Sequence, residues 1–363
     1  MSRRMGFLSG LCGCLEKRGR SAGSSGGGGG KEEDDGGELW NFFFELRDLQ
    51  IATNYFSELN RLGSTRFSVL YKGLMPNGQV VAVEKVSDQG LKKFINEVKL
   101  LLKVQHKNLA TLLGCCAEGP EIMLVYEYLP NGPLDYILFE KKKFASLDWT
   151  KRFRIVTGVA RGLLYLHEEA PLTIIHGGIR PRNILLDEQL NPKIADFGMA
   201  RLAKMTDIDS DELDILGPYG YLSPEYVMYG NLSVKTDVFS FGVLVLEIVS
   251  GRKIHGMQLG EEKAYPLSYA WMLFEEGRSL DLVDPSLDDC DFDEAAMCIQ
   301  LGLSCCQYSP TERPNMSSVH LMLSTGSFTL PTPRNPASLV GGQSWTSTHS
   351  RNSISDSSID GGR

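Results

Sequence analysis

From Arg61 to Tyr128 the apolar positions come in short alternating runs, and from Trp149 onward they recur every three or four residues. Arg61 to Val86 reads as three short strands, with Pro76-Asn77-Gly78 as the hairpin turn between the second and third. The period then changes. In Leu91 to Val104 the residues Phe94, Val98, Leu101 and Leu102 share one helical stripe, and Lys92, Lys93 and Lys99 occupy the other face. Leu109 to Cys116 and Ile122 to Tyr128 predict another strand pair around Glu118-Gly119-Pro120. The pattern so far is a small antiparallel sheet with one helix. Beyond it, Arg152 to His167 carries Phe153, Val156, Ala160, Leu163 and Leu164 on one stripe. Asp237 to Ser250 is apolar almost all round, which predicts the buried central helix of a second lobe. Two lobes of different class predict a cleft.

The flanks follow neither period. Met1 to Arg20 is basic with a short apolar patch, and Ser21 to Gly37 is a Gly/Ser run ending in Lys31-Glu32-Glu33-Asp34-Asp35. Such a segment buries too little apolar area to offset its ordering entropy, which predicts a disordered tail. After Ser327 come Pro331, Pro333 and Pro336 and then the serines of Ser344 to Ser358, read either as phosphoacceptors or as simple solvation.

Composition narrows the classes. The 363 residues have the apolar and charged fractions of a soluble globular protein. A net charge of -8 gives no reason to expect nucleic-acid binding. No apolar run approaches the ~20 residues that cross a bilayer. The eight cysteines (Cys12, Cys14, Cys115, Cys116, Cys290, Cys298, Cys305 and Cys306) form no two separated C-x-x-C pairs for zinc, and no secretory signal precedes them. Reduced, mostly buried cytosolic thiols are the expectation.

The chemistry-bearing stretch is His176-Gly177-Gly178-Ile179-Arg180-Pro181-Arg182-Asn183, followed by Asp196-Phe197-Gly198. It resembles the catalytic loop and metal-binding signature of a protein kinase, His-Arg-Asp-Leu-x-x-x-Asn and Asp-Phe-Gly. Further phrases follow in the family's order: Ile51 to Ser57, Leu113 to Cys116, Leu124 to Asn131, Arg161 to His167, Asn191 to Arg201, Tyr219 to Tyr226 and Ser240 to Gly242. From about Phe44 to Leu323 the chain resembles the cytoplasmic kinase domain of plant receptor-like kinases, nearest the cysteine-rich class. The resemblance implies an α+β, bilobal protein kinase fold with an antiparallel N-lobe sheet, one main helix there and a mostly helical C-lobe. It divides the chain into a tail (1–37), an entry segment (38–56), a kinase-like domain (57–325, lobes about 57–129 and 130–325) and a second tail (326–363). It also implies scaffold roles: Glu97 as partner of the third-strand lysine, Glu225 paired with Arg313, and Asp237 bracing the catalytic loop.

Against that pattern the residues that would touch phosphate depart. The glycine-rich loop reads Leu62-Gly63-Ser64-Thr65-Arg66-Phe67-Ser68 and keeps one glycine of three, so an ordinary hairpin explains it as well as a phosphate clamp. The third strand reads Val81-Ala82-Val83-Glu84-Lys85, with Glu84 at the lysine position and Lys85 on the opposite face. A Glu84 facing Glu97 would bring like charges together. Gly177 and Gly178 replace the Arg-Asp pair, which removes the general base, and Arg180 replaces the lysine that steadies the phosphoryl group. Pro218 in Gly217-Pro218-Tyr219 replaces a threonine. The run Asp207, Asp209, Asp211, Glu212 and Asp214 reads as a solvated acidic loop rather than a phosphate mimic, because Gly177 offers no arginine to receive it.

What the resemblance leaves is Asn183 and Asp196 as magnesium ligands and Gly63, Glu127 and Leu129 toward a nucleotide, so Mg-ATP is the implied cofactor, its binding weakened by these losses. Asp196-Phe197-Gly198 serves metal binding or, equally, packing through Phe197. Cys12 and Cys14 beside Lys17, Arg18 and Arg20 resemble a palmitoylation site with basic support, against the alternative of a flexible tail. The resulting expectation is a pseudokinase, cytoplasmic or at the inner face of the plasma membrane, whose partners are other receptor-like kinases and their substrates. Two alternatives stay open: a weak kinase with Arg66 or Lys85 on the phosphates, and a passive decoy or substrate.

Overall fold

The computed structural model describes residues 42–139, 147–203, 220–253, 266–326 and 331–336. Among them the chain forms two compact units, one of residues 42–103 and Thr111–Tyr128, the other of Val104–Ala110 and Leu129 onward.

The first unit is a five-stranded antiparallel sheet in the order β1-β2-β3-β5-β4. Its strands are β1 (Arg61–Ser64), β2 (Ser68–Leu74), β3 (Val80–Val86), β4 (Leu112–Glu118) and β5 (Glu121–Glu127). The β2–β3 turn falls on Pro76-Asn77-Gly78, where the Gln79 N–H donates to Asn77 Oδ1 at 3.0 Å. Strand alternation then divides the core. On one face Phe94 and Val98 of α2 (Leu91–Leu101) pack on Cys115, Ile122 and Leu124. On the other, Leu49 of α1 (Leu46–Ala52) packs on Val81, Val83, Cys116, Met123 and Val125.

Helix α1 lies inside the entry segment, where no helix was expected, and it gives the sheet its second cover. Directly after it Asn54, Tyr55 and Phe56 all have left-handed backbone, with φ of 52, 54 and 56°. Three such residues in a row are uncommon for side-chain-bearing positions. Thr53, fully buried, holds the turn by giving its hydroxyl to Leu49 O at 2.7 Å and receiving the Phe56 N–H at 3.1 Å.

The second unit is mainly helical. It contains the short strand β6 (Gly132–Pro133), α3 (Leu134–Phe139), α4 (Trp149–Leu164), β7 (Ile174–Ile175), β8 (Ile184–Leu186), β9 (Pro192–Ile194) and β10 (Arg201–Leu202). It continues with α5 (Pro224–Tyr229), α6 (Val234–Ser250), α7 (Pro266–Glu275), α8 (Phe292–Cys305) and α9 (Met316–Thr325). Every residue of α6 from Thr236 to Ser250 is buried, so this helix is the centre of the unit, as its all-round apolar pattern predicts. Helix α8 crosses it at a glycine contact: a Cβ on Gly242 would stand 2.7 Å from Cys305 Cβ and Cys306 Sγ.

The buried thiols are chemically quiet. Cys115, Cys116, Cys298, Cys305 and Cys306 are free and buried, and burial pushes Cys115 and Cys116 up to about 12 and about 11.

Candidate functional site

The loop from His176 to Asn183 hangs between β7 and β8, two short strands buried in the second unit. Its anchor comes from the first turn of α6. Asp237, fully buried, accepts the N–H of His176 at 2.7 Å and of Gly177 at 2.8 Å, and its Oδ2 lies 3.0 Å from His167 Nε2. The brace expected of Asp237 is therefore present. To aim two successive N–H groups at one carboxylate the chain takes a left-handed step at Gly177, with φ of 72°. Glycine adopts this without the ~1–2 kcal/mol that an L side chain pays there.

His176 fixes the next residue. Its Nδ1 accepts the Gly178 N–H at 3.2 Å, so its Nε2 donates to Ala195 O at 3.1 Å, and the ring meets Phe197 edge-on at 4.8 Å. An imidazole that accepts at Nδ1 is neutral, and burial holds its pKa below the ordinary range. At Gly178 the backbone offers no proton acceptor beyond its carbonyl, which takes the Asn183 Nδ2 at 2.8 Å. A Cβ here would stand 3.3 Å from that amide nitrogen, so a side chain fits if Asn183 gives by a few tenths of an ångström.

Asn183 is 7% exposed, and its carbonyl accepts the Ala195 N–H at 2.9 Å, which places Asp196 next to it along the backbone pairing. Asp196 itself is left-handed, with φ of 67°, and exposed, while Phe197 after it is fully buried. The packing reading of this motif is seen in the buried phenyl ring, and the Asp196 residue is exposed. Among the described residues no three His, Cys, Asp or Glu side chains converge, so a cation here would rest on the Asn183 and Asp196 oxygens and its own water.

In the first unit the loop between β1 and β2 is closed on itself. Thr65 Oγ1 accepts the N–H groups of Phe67 and Ser68, both at 3.1 Å, and lies 2.9 Å from Ser68 Oγ. The Thr65 N–H in turn donates to Ser68 O at 2.8 Å. The amides that a glycine loop would turn toward phosphate are spent on one hydroxyl. Gly63 lies next to the irregularity in β1, where Arg61 pairs with Tyr71 and Gly63 with Leu70.

Register settles the third strand. Glu84 stands opposite Leu124, on the face covered by α2, where Glu97 is 6% exposed; neither residue is without a partner. Lys85 turns the other way. Its ammonium pairs with Glu121 at 2.8 Å and sits 4.8 Å over the Phe56 ring. Lys85 therefore stands on the face that strand parity predicts, and only the weak-kinase alternative, which set it on phosphates, is corrected here. Glu127 uses its carboxylate within the unit, accepting the Thr111 N–H at 2.8 Å. Leu129, in the second unit, is 8% exposed.

Other scaffold parts are whole. Arg313, 2% exposed, forks onto Glu225 with both contacts at 2.7 Å, and Tyr221 gives its hydroxyl proton to Glu247 at 2.6 Å. Arg180 is half-buried and its Nε finds no hydrogen-bond partner. Sequence reasoning singled out Arg180 but gave no role to Asp135, a half-buried carboxyl that feels the charges of Arg182, Lys253 and Arg180. Cys12, Cys14, the acidic run Asp207 to Asp214, Gly217-Pro218-Tyr219 and Ser344 to Ser358 lie outside the described residues.

An antiparallel sheet unit, a helical unit and a loop braced from the central helix define a bilobal protein kinase fold. The family model for protein tyrosine and serine/threonine kinases matches residues 56–323, and the chain belongs to that family. It is 49% identical over 296 residues to cysteine-rich receptor-like protein kinase 10 of Arabidopsis thaliana, covering 80% of this chain and 44% of that protein. It is 48% identical over 315 residues to the G-type lectin S-receptor-like serine/threonine-protein kinase B120 of the same plant, covering 86% and 36%. With cysteine-rich receptor-like protein kinase 44 the identity is 46% over 315 residues, covering 84% of this chain and 83% of that protein. The chain thus spans less than half of the first two relatives. The receptor-like serine/threonine kinase family it falls in ordinarily uses Mg-ATP. Here Asn183 and Asp196 fit the cation, with one amide oxygen and one water-facing carboxylate, whereas the Thr65-capped loop and Glu84 do not fit the phosphates.

Proposed function

We propose that this protein is a catalytically impaired kinase, a pseudokinase, that acts as a scaffold or allosteric regulator in receptor-kinase signalling. The observation that carries this reading is Gly178: the braced loop is intact, and its reacting position has no proton acceptor. A positioned general base contributes about 10²- to 10⁴-fold. The Thr65 hydroxyl bound to the loop amides and Glu84 at the third-strand lysine position support the same reading.

In this reading the partners are other receptor-like kinases and their substrates, and the protein works in the cytoplasm, at the inner face of the plasma membrane if Cys12 and Cys14 are acylated. Among the described residues no helix is long and apolar enough to cross a membrane. The kinase-like domain runs over 57–325, between tails 1–37 and 326–363. One observation favours a retained ligand: Asp196 is exposed beside Asn183, so these two residues would hold a magnesium ion. Gly63, Glu127 and Leu129 are the nucleotide contacts that the family resemblance implies.

A Mg-ATP phosphotransfer assay tests this on the wild type beside the double substitution Glu84→Lys with Gly178→Asp. The wild type is expected to show no transfer that depends on Asp196, and the double variant a measurable gain. Autophosphorylation by the wild type that disappears in Asp196→Ala would overturn the reading.

A further inference from the structure

The β4 edge of the sheet is covered by the chain's own entry segment. Phe42 to Phe44 run parallel to it, the Phe44 N–H donating to Cys115 O at 2.9 Å and the Cys115 N–H to Phe42 O at 3.0 Å. The edge is shaped for this strand: a Cβ on Gly114 would overlap Phe42 O, so glycine is what lets the two backbones meet. Side chains of the segment then divide between the two faces. Phe42 and Phe43 pack with Cys115, Ile122 and Leu124 on the α2 side, whereas Phe44, Leu46 and the fully buried Leu49 pack with Val81, Val83 and Met123 on the other. The Leu46 N–H adds a tie to Glu118 Oε1 at 2.9 Å. Phe42–Ala52 is thus an arm that closes one edge and both faces of the sheet.

The arm joins β1 through Thr53 to Asn60, and this joint is strained. Asn54, Tyr55 and Phe56 are three of the five non-glycine residues with left-handed backbone among the described ones, and they are consecutive. Each such residue is disfavoured roughly 5- to 30-fold against ordinary backbone. The turn is held by the Tyr55 N–H on Gln50 O at 2.6 Å and the Phe56 N–H on Thr53 Oγ1 at 3.1 Å, and it is needed only while the arm folds back onto its own sheet. Extended, the eight residues would reach about 26 Å. The surface of the joint is apolar. Ile51, Tyr55 and Leu59 recur at every fourth position and all three are exposed, Leu59 to 92%. A single exposed leucine is ordinary, but an apolar row on strained backbone marks a contact surface.

We propose that two copies of this chain exchange the arm Phe42–Ala52, each arm seating on the β4 edge of the other copy to form a two-fold dimer. The occupant of that edge is seen in the structure: it is this chain's own strand, and a second copy carries the same one. Exchange keeps every contact of the arm, so its cost is the lost tether, which for a short linker corresponds to an effective concentration of about 1 mM. Two effects lower the dissociation constant from there. The joint straightens and its left-handed residues relax, offset in part by the Tyr55 and Phe56 hydrogen bonds of the turn. Across the two-fold axis the Ile51, Tyr55 and Leu59 row of one joint meets the same row of the other, and an uncharged row is complementary to itself. A dissociation constant of about 1 to 100 µM follows. The exchange is independent of the inactive-kinase reading, because neither the arm nor the joint takes part in phosphate chemistry.

The test uses the full chain with Phe43→Cys, whose thiol pairs with the native Cys115 across the arm and β4, oxidised at about 1 µM and at about 200 µM. Non-reducing gels, with the bond between positions 43 and 115 located by peptide mass spectrometry, are expected to give a bridged monomer at the low concentration and a bridged dimer at the high one. Light scattering on the other variants gives the dissociation constant. Asn54→Pro, which forbids the left-handed φ, should lower it at least about tenfold, and Asn54→Gly, which relaxes that φ, should raise it at least about threefold. Leu59→Asp should raise it at least about tenfold while leaving the monomer's Tm unchanged. If Phe43→Cys proves unfolded by thermal melting, the order of the two Asn54 variants decides. A bridge confined to single copies at both concentrations overturns the exchange, and so does one found inside each copy of a non-covalent dimer. A wild type that stays monomeric at about 200 µM, or an Asn54→Pro variant more monomeric than Asn54→Gly, overturns it as well.

Discussion

At the scale of single residues, the two adjacent glycines of the loop are different in kind. Gly177 sits at φ 72° because two N–H groups must reach Asp237, and only its conformation demands glycine. Gly178 has no such constraint, and its Cβ position is limited only by the Asn183 amide at 3.3 Å. Gly177→Ala is therefore expected to destabilise by ~1–2 kcal/mol, and Gly178→Ala by clearly less. Urea midpoints of the two variants check this, and a larger loss at Gly178 would contradict it. The same contrast makes Gly178→Asp, and not an arginine at Gly177, the reasonable restoration. The substitutions at Gly178, Glu84 and Arg180 were legible because they interrupt phrases whose spacing is fixed. Thr65 was legible only as a missing glycine, since its bonds to the Phe67 and Ser68 amides depend on how the loop curls. For Lys85 strand parity gave the face, but Glu121 and Phe56, its partners, come from separate parts of the chain.

Elements were legible where a period had room to repeat. The three strands of Arg61 to Val86, the stripe of α2 and the apolar α6 all stand as the pattern predicts. Helix α1 was not legible, because in seven residues it buries only Leu49 and Ala52. Strand β4 begins at Leu112 and not Leu109, because the Ala110 N–H is taken by Ile194 of β9 at 2.9 Å. Helix joints show the same limit. Arg152 of α4, 3% exposed, donates to Leu147 O at 3.0 Å, to Ile248 O of α6 at 2.8 Å and to Asp284 Oδ2 at 2.7 Å. Nothing in the stripe of α4 announces a buried charge. Removing one partner of such a pair costs about 3–5 kcal/mol because the other stays buried and uncompensated. Asp284→Ala should reach that range in urea denaturation, and Asp284→Asn, which keeps an acceptor for the guanidinium, should lose less. A loss below ~1 kcal/mol in Asp284→Ala would mean that the joint does not depend on this pair.

Across the molecule, three histidines of the second unit give its stability a common pH dependence. Burial holds His176, His106 and His320 below their ordinary value of 6.5, and for His106 and His320 the charge of Arg161 adds to the effect. Two of them are also held by geometry: the Nδ1 of His176 accepts the Gly178 N–H, and that of His106 accepts the Asn108 N–H at 3.1 Å. In the unfolded chain each takes up a proton near 6.5, whereas in the folded chain each does so only at lower pH. The unfolded state therefore binds more protons in that window, so stability is complete above 6.5 and falls as pH drops below it. Each group contributes at most ~1.4 kcal/mol per pH unit. Asp135, raised chiefly by burial, acts with the opposite sign, and Asp148 and Asp284, both lowered, lose their contribution only below the carboxylate value of 3.8. Urea midpoints measured from about pH 7.5 to about pH 5.5 should fall, and His106→Asn with His320→Asn should flatten the slope while leaving the His176 share. A midpoint that stays level or rises over that range would show that these three imidazoles do not govern the acid side of the stability curve.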